Sequence, residues 1–371
     1  MTHYHPAMGC VRVIGAGLAG ATVAHLLHVA GRAVEVVEGD PTWGGQLRTA
    51  SAAGILYEPA GAHIFHTADA EVWRLVTGLV RFLPYRHTVR TEAFDRELSW
   101  PPQLSELRTL PRWPQIAREL AARPARPDAA NFESWCVGLL GETLYRELIE
   151  GYTRKQWGED PRNLAAGWAP KRIELRDDGY TDLFRDPHQG WPEGGYPRLV
   201  DALLRDVPVV MGRRVTVDDW DEVCAGADAV VVTCALDEFF AEHLGRLPWR
   251  GVRLVNHYLP GVEHALTCGV VNTPSPLRAH TRAIETKWMS GQTGPGTVVS
   301  YEYPGAPARH YPIDDVQGAN RALARRYLEE LAGLPGPPRY VAGRLATYTY
   351  IDMDQVVRQA LNTARRILGE V

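Results

Sequence analysis

Between Val11 and Glu38 the chain reads VRVIGAGLAGATVAHLLHVAGRAVEVVE, an order that fits one local fold, a βαβ dinucleotide-binding unit. Val11, Val13 and Ile14 make a short apolar strand. Gly15, Gly17 and Gly20 follow as G-x-G-x-x-G, which permits a tight turn, close backbone approach to a pyrophosphate and close packing of helix on strand. From Leu18 onward the amides that open the helix point at the phosphates. Ala21, Val23, Ala24, Leu26 and Leu27 suit a buried helix that Gly31 ends. Ala33 to Val37 supply the second strand, with Glu38 at its tip to accept from ribose hydroxyls and to disfavour a 2′-phosphate. A second glycine pair, Gly44 and Gly45, stands before Gln46 in DPTWGGQ, just past the acidic strand end. A plain NAD domain would run on into another βα unit there, so the pair favours FAD.

A chain of 371 residues, 45% hydrophobic, can bury large cores, and its length suggests two or three domains. The net charge of −4 includes no long basic run and no basic tract interleaved with aromatics, which argues against nucleic acid as a partner. Arginine supplies nearly all the cations, lysine occurring only at Lys155, Lys171 and Lys287. The cysteines, Cys10, Cys136, Cys224, Cys234 and Cys268, are odd in number and never spaced C-x-x-C, as expected of reduced thiols in a cytoplasm. No apolar run approaches the roughly 20 residues that span a bilayer, so no membrane association is expected. The opening MTHYHPAMG lacks the regions of a signal peptide. His3 and His5 read as a solvated terminus, and no metal site is expected.

Changes of rhythm organise the rest. Gly54 to Ile64 reads as strand, turn and strand, and Asp69 to Phe82 as an amphipathic helix. Phe132 to Tyr152 carries apolar residues at helical spacing and predicts one helix in a small helical domain. Gly190 to Leu204 reads as a loop feeding a helix, and Ala229 to Cys234 as a buried strand. Val252 to Tyr258, Gly269 to Asn272, Ala283 to Trp288 and Val298 to Tyr303 alternate like antiparallel strands. Tyr340 to Leu368 gives strand, loop and a closing helix that begins near Gln355. The expected architecture is α/β: a Rossmann-like FAD-binding domain from 1–78, 190–235 and 318–371, a helical domain at 98–150, and an antiparallel-sheet substrate domain from 79–97, 151–189 and 236–317.

Gly61-Ala62-His63-Ile64-Phe65-His66-Thr67, Gly151-Tyr152-Thr153-Arg154-Lys155-Gln156-Trp157-Gly158, Lys171-Arg172-Ile173, Gly343-Arg344-Leu345-Ala346 and Tyr350-Ile351-Asp352-Met353 come in an order and spacing that resemble the UDP-galactopyranose mutase family across nearly the whole chain. The resemblance implies a cytoplasmic, homodimeric isomerase that uses reduced FAD to interconvert pyranose and furanose forms of a nucleotide sugar. UDP-galactose is the default substrate, with flavin N5 attacking sugar C1 to form a covalent adduct. No protein nucleophile is then needed, and the sequence offers no evident Ser-His-Asp or Cys-His set.

The family pattern assigns roles residue by residue. Arg172 and Arg282 match the diphosphate clamps, whose planar forks suit phosphate oxygens; Tyr311 and Tyr350 match tyrosines that hydrogen-bond the same group. Tyr152 and Trp157 match aromatics at the uridine and sugar subsites, Asn272 stands ten residues before Arg282 as in the family, and Asp352 matches a carboxylate of the site. His63 matches a histidine beside the flavin. The cofactor set is Gly15, Gly17, Leu18, Gly20, Glu38, Gly45, Gln46, His63, Arg344, Asp352 and Met353. His63 and His66 also read as an H-x-x-H pair, but on an extended segment such positions face opposite ways. Asp352 and Asp354 could equally be a surface pair or a helix cap.

Two positions depart from the family. Its diphosphate-binding tyrosine ahead of the Gln-Gly pair is Leu183 here, and the aromatic just before that pair is His188; Gly179-Tyr180 offers a substitute hydroxyl. Glu174 to Asp182 is unusually acidic, and Leu148-Ile149 give aliphatic packing near the base. The expectation is retained ring chemistry with an altered preference for nucleotide or sugar. The competing reading is an amine-oxidase-like FAD oxidoreductase, which shares the βαβ unit and the glycine pair but has no use for two phosphate-directed arginines.

Overall fold

The computed structural model describes residues 9–167 and 172–370. Five parallel strands form one sheet, in the order Val209–Val210, Val34–Val37, Cys10–Ile14, Ala227–Val232 and Arg339–Val341. A parallel sheet is covered on both faces, so its strands read as continuous apolar runs. Alternation then sorts their side chains: Val11, Val13, Val36 and Val231 enter one core, and Ile14, Val37, Val230 and Val232 the other. The helix Leu18–Val29 packs on the first face beside the closing helix Met353–Leu368, which buries Val356, Val357, Ala360, Leu361 and Ala364 along one stripe. A Cβ on Gly20 would stand 1.9 Å from the Gly15 carbonyl oxygen, so only glycine lets helix and strand meet.

A second sheet of six strands runs Trp249–Leu259, Thr297–Pro312, Arg282–Ile284, Val270–Asn272, Val89–Ala93 and Arg96–Trp100. All its pairs are antiparallel except Val270–Asn272 with Val89–Ala93. The expected strand over Ala283 to Trp288 is cut short, since Lys287–Ser290 turns helical. The cause is tertiary: the buried Lys287 ammonium donates to the carbonyls of Glu263, Gly294 and Gly296. Lys155 does the same for Thr273, Ser275, Arg278 and His280. In an arginine-rich chain these lysines stand where carbonyls converge on one compact donor, a geometry the flat guanidinium does not match. Lys171 lies outside the described residues.

The single helix expected over Phe132 to Tyr152 is two. Phe132–Leu140 ends at Gly141, with φ +80°, and the chain restarts as Glu142–Leu144, a wider π turn at Tyr145–Glu150, and Gly151–Trp157. Glu119 enforces the break. Its carboxylate accepts from the Thr143 amide and hydroxyl, both at 2.7 Å, and so caps the second helix, while a Cβ on Gly141 would come within 2.9 Å of that carboxylate. The π turn lets Leu148, Ile149, Tyr152, Thr153, Gln156 and Trp157 share one face, which lines a cavity. The helix expected from Asp69 to Phe82 is Ala70–Leu79, capped by Asp69, and Phe82 instead opens a strand.

Candidate active site

A trough, about 1380 Å³ counting its solvent-open space, lies at the carboxyl ends of the parallel strands, where open α/β sheets bind their ligands. Gly15, Gly17, Leu18, Glu38, Gly45, Gln46, His63, Arg344 and Met353 line it. Gly20 does not, because it is spent on packing, and Asp352 faces a different cavity. The Glu38 carboxylate is held at the rim by the amides of Ala16, at 2.6 Å, and Asp40, at 2.8 Å. Sequence reading missed the opposite wall, which Arg213, Arg214, Thr233, Cys234 and Arg309 form. The position of Thr233 and Cys234 at the end of a buried parallel strand was the signal for it.

The second cavity, about 1520 Å³ counting the solvent-open space at its mouth, brings together Tyr152, Trp157, Arg172, Asn272, Arg282, Tyr311, Tyr350 and Asp352 with His63. Gln46, His63, Arg344 and Met353 line both spaces, so the two adjoin there. The ten-residue spacing of Asn272 and Arg282 becomes a cross-strand pair, and Glu302 stands opposite Arg282 on the next strand. Glu302 is fully buried, accepts from Arg282 Nη2 at 2.7 Å, and takes the Thr281 hydroxyl at 3.2 Å. Arg282 Nη2 also stands 3.4 Å from the Tyr311 hydroxyl, and its Nε has no hydrogen-bond partner among the described residues. Burial opposes the Arg282 charge, but Glu302, Tyr152 and Tyr311 hold it firmly protonated. Burial and Glu302 push Tyr311 up to about 12, and burial raises Tyr152 as well, so both phenols stay neutral donors at pH 7.

Arg172 donates to Asp352, with its guanidinium 5.6 Å from the Phe184 ring centre and 5.9 Å from that of Tyr350. Asp352 also precedes the closing helix, which begins at Met353, so the cap and the site share one residue. Arg344 donates to the carbonyls of His310, at 2.8 Å, and Ile351, at 2.7 Å, and faces both Tyr311 and Tyr350. It fixes the two tyrosines relative to each other. Trp157 meets Tyr311 edge to face at 6.1 Å.

Of the two departures only Leu183 borders this cavity; His188 stacks on Trp73 at 5.3 Å and does not line it. Tyr180 is not the substitute hydroxyl, because its OH donates to the Phe184 carbonyl at 2.9 Å and its ring sits among Arg86, Arg176 and Arg185. The acidity around it is answered locally: Glu174 pairs with Arg176 and Arg185, Asp177 with Arg108, Asp178 with Arg185 and Asp182 with Arg86. Phe184 and His66 were also missed as cavity residues. They stack at 3.5 Å, and His66 Nδ1 lies 2.6 Å from Asp186.

Two further histidines in the cavity wall are kept neutral. Burial, then Arg282, His66 and Arg172, pull His87 down to about 3, and burial pulls His310 down to about 4. Both folded values lie below the ordinary value near 6.5, so as pH falls through 6.5 the unfolded chain takes up protons that the native state refuses. Stability should therefore fall from pH 7 to pH 5, by up to about 2.7 kcal/mol per pH unit if both rings contribute fully. Urea unfolding checks this; a midpoint unchanged over that window would mean that both rings protonate in place.

The chain matches the family model described as UDP-galactopyranose mutase over residues 147–350, and that of an NAD(P)-binding Rossmann-like domain over 13–79. It is 28% identical to a protein of Klebsiella pneumoniae named "Probable UDP-galactopyranose mutase", across 97% of this chain and 95% of that one. It is equally 28% identical to dTDP-fucopyranose mutase of Escherichia coli, across 96% of this chain and 98% of the relative. The crystal structure of a reduced UDP-galactopyranose mutase superposes with a TM-score of 0.80 at 15% identity, covering 98% of this chain and 96% of that one. With its family model spanning Tyr152, Trp157, Arg172, Asn272, Arg282, Tyr311 and Tyr350, the chain belongs to the UDP-galactopyranose mutase family of isomerases.

Proposed function

We propose that this chain is a FAD-dependent mutase that interconverts the pyranose and furanose forms of a nucleoside-diphosphate sugar. One observation carries the reading: Arg172 and Arg282, each tethered to a carboxylate, share a cavity that adjoins the dinucleotide trough at Gln46, His63, Arg344 and Met353. An amine-oxidase-like reaction leaves that arginine pair without a task. The trough suits FAD, since a Cβ on Gly17 would meet no protein atom within 4 Å and Gly45 approaches Gly17 from the opposite loop. Once bound and reduced, FAD would supply a nucleophilic nitrogen for the anomeric carbon. The chain's own work is to hold and orient. Each arginine keeps guanidinium edges for phosphate oxygens beyond the one given to its carboxylate, and Tyr311 and Tyr350 present hydroxyls beside them. Arg344 sets the two rings, and Tyr152 and Trp157 wall the far side.

The E. coli relative acts, by its name, on a dTDP sugar and is as similar as the Klebsiella one. Leu183 supplies no phosphate hydrogen bond, while Leu148 and Ile149 give an aliphatic wall. A lost neutral hydrogen bond costs only about 0.5–1.5 kcal/mol, so UDP-galactose should be weakened rather than forbidden. The dithionite-reduced protein should be offered UDP-, GDP- and dTDP-sugars and furanose formation followed by chromatography. The expected best substrate is a nucleotide sugar other than UDP-galactopyranose. A wide margin for UDP-galactopyranose would refute the altered preference. No reaction with any nucleotide sugar, together with reduction of the oxidised flavin by an amine, would remove the mutase reading.

A further inference from the structure

His63 has a buried companion. Glu58 is 1% exposed, and its carboxylate accepts from the His63 amide at 2.9 Å while its other oxygen stands 3.3 Å from His63 Nδ1, short of full hydrogen-bond alignment. The Trp191 indole N–H lies beside the same carboxyl, and the Tyr196 ring meets the imidazole edge-on at 5.8 Å. A carboxyl so deep in apolar surroundings is costly unless it is used. His63 in turn lines both the trough and the substrate cavity.

We infer that Glu58 is a positioning residue for His63, holding the Nδ1 edge of the imidazole so that the Nε2 edge is presented where the two cavities join. The inference rests on the proposed seat of the flavin in the trough. A histidine ring nitrogen is directed by the partner of the other nitrogen, and a carboxylate at Nδ1 makes that nitrogen the proton carrier. Burial also raises the Glu58 carboxyl above the ordinary carboxylate range. A change in the charge of Glu58, passed on through the orientation of the His63 ring, should therefore be sensed by the flavin. The other groups facing the pair are the Tyr196 hydroxyl and the neutral His310 ring tied to the Ala60 carbonyl; Arg344, which lines both cavities with His63, is engaged by backbone carbonyls.

The test compares FAD-loaded wild type with Glu58→Gln and Glu58→Leu, recording flavin stoichiometry, the visible spectrum, the midpoint potential from pH 5 to pH 9, and kcat and KM separately. Glu58→Leu should keep stoichiometric flavin, lower kcat roughly tenfold or more with KM within about twofold, and shift the potential. Glu58→Gln retains an acceptor for Nδ1 and should recover most of kcat while flattening the pH dependence of the potential. The Glu58→Gln effect should vanish in a His63→Ala background, a readout that holds even if Glu58→Leu does not fold. Wild-type potentials at every pH in Glu58→Gln, or an effect that persists without His63, would overturn the inference while leaving the mutase reading intact. A wild-type protein that takes up no flavin would remove both.

Discussion

Replacing Arg282 by alanine should lower kcat/KM by about a thousandfold, roughly 4 kcal/mol of transition-state stabilisation. Two losses combine. The substrate's diphosphate loses a charge-assisted, forked donor in an enclosed cavity. In addition Glu302, fully buried and 2.7 Å from Arg282 Nη2, is left as an anion with no counter-charge where the incoming group is itself anionic. Breaking a buried pair from one side typically costs about 3–5 kcal/mol of stability, so the melting temperature should fall too. A second change separates the two effects: adding Glu302→Gln to Arg282→Ala should restore much of the stability and little of the turnover. Steady-state kinetics and urea unfolding of the three proteins decide it. Near-normal turnover in the single variant would mean that the diphosphate sits elsewhere.

Gly17→Val should give a folded, colourless protein where the wild type is yellow with noncovalently bound FAD. In the structure Gly17 precedes the helix with φ −72°, a conformation open to any residue, and a Cβ there meets no protein atom within 4 Å. The branched side chain thus costs the fold little, within about 1 kcal/mol, but fills the space through which a pyrophosphate must approach the helix amides. Because a ligand stabilises by RT ln(1 + [L]/Kd), the wild type should gain melting temperature on adding FAD and the variant should not. Gly20→Val makes the contrast: there the first side-chain atom strikes the Gly15 carbonyl, and the fold itself should fail. A Gly17→Val protein as yellow as the wild type would place the cofactor elsewhere, and a colourless wild type that free FAD does not reconstitute would defeat the cofactor reading.

The parts that could be read from the residues are those whose physics is local. Gly15 to Glu38 encodes a strand, a turn and a helix through contacts among neighbours, and the apolar run Ala229 to Cys234 declares a strand covered on both faces. Motif spacing likewise brought Arg172, Arg282, Tyr311 and Tyr350 onto one candidate surface, because a match of order along the chain carries the fold with it.

What stayed hidden depends on partners far away in sequence. The break at Gly141 follows from Glu119, the short strand before Lys287 from carbonyls of two loops, and the compensated acidity of Glu174 to Asp182 from arginines as distant as Arg86. Tyr180 offered a hydroxyl on paper, yet the fold spends it on the Phe184 carbonyl. Glu302 and Glu58, the buried carboxylates that hold Arg282 and His63, carry no motif at all. The sequence by itself determined a dinucleotide unit, the family and the cationic and aromatic residues that the fold gathers around one cavity. Only the tertiary structure decided which charges are neutralised and which donors remain free, since a buried group's state is set by the atoms packed around it rather than by its neighbours along the chain.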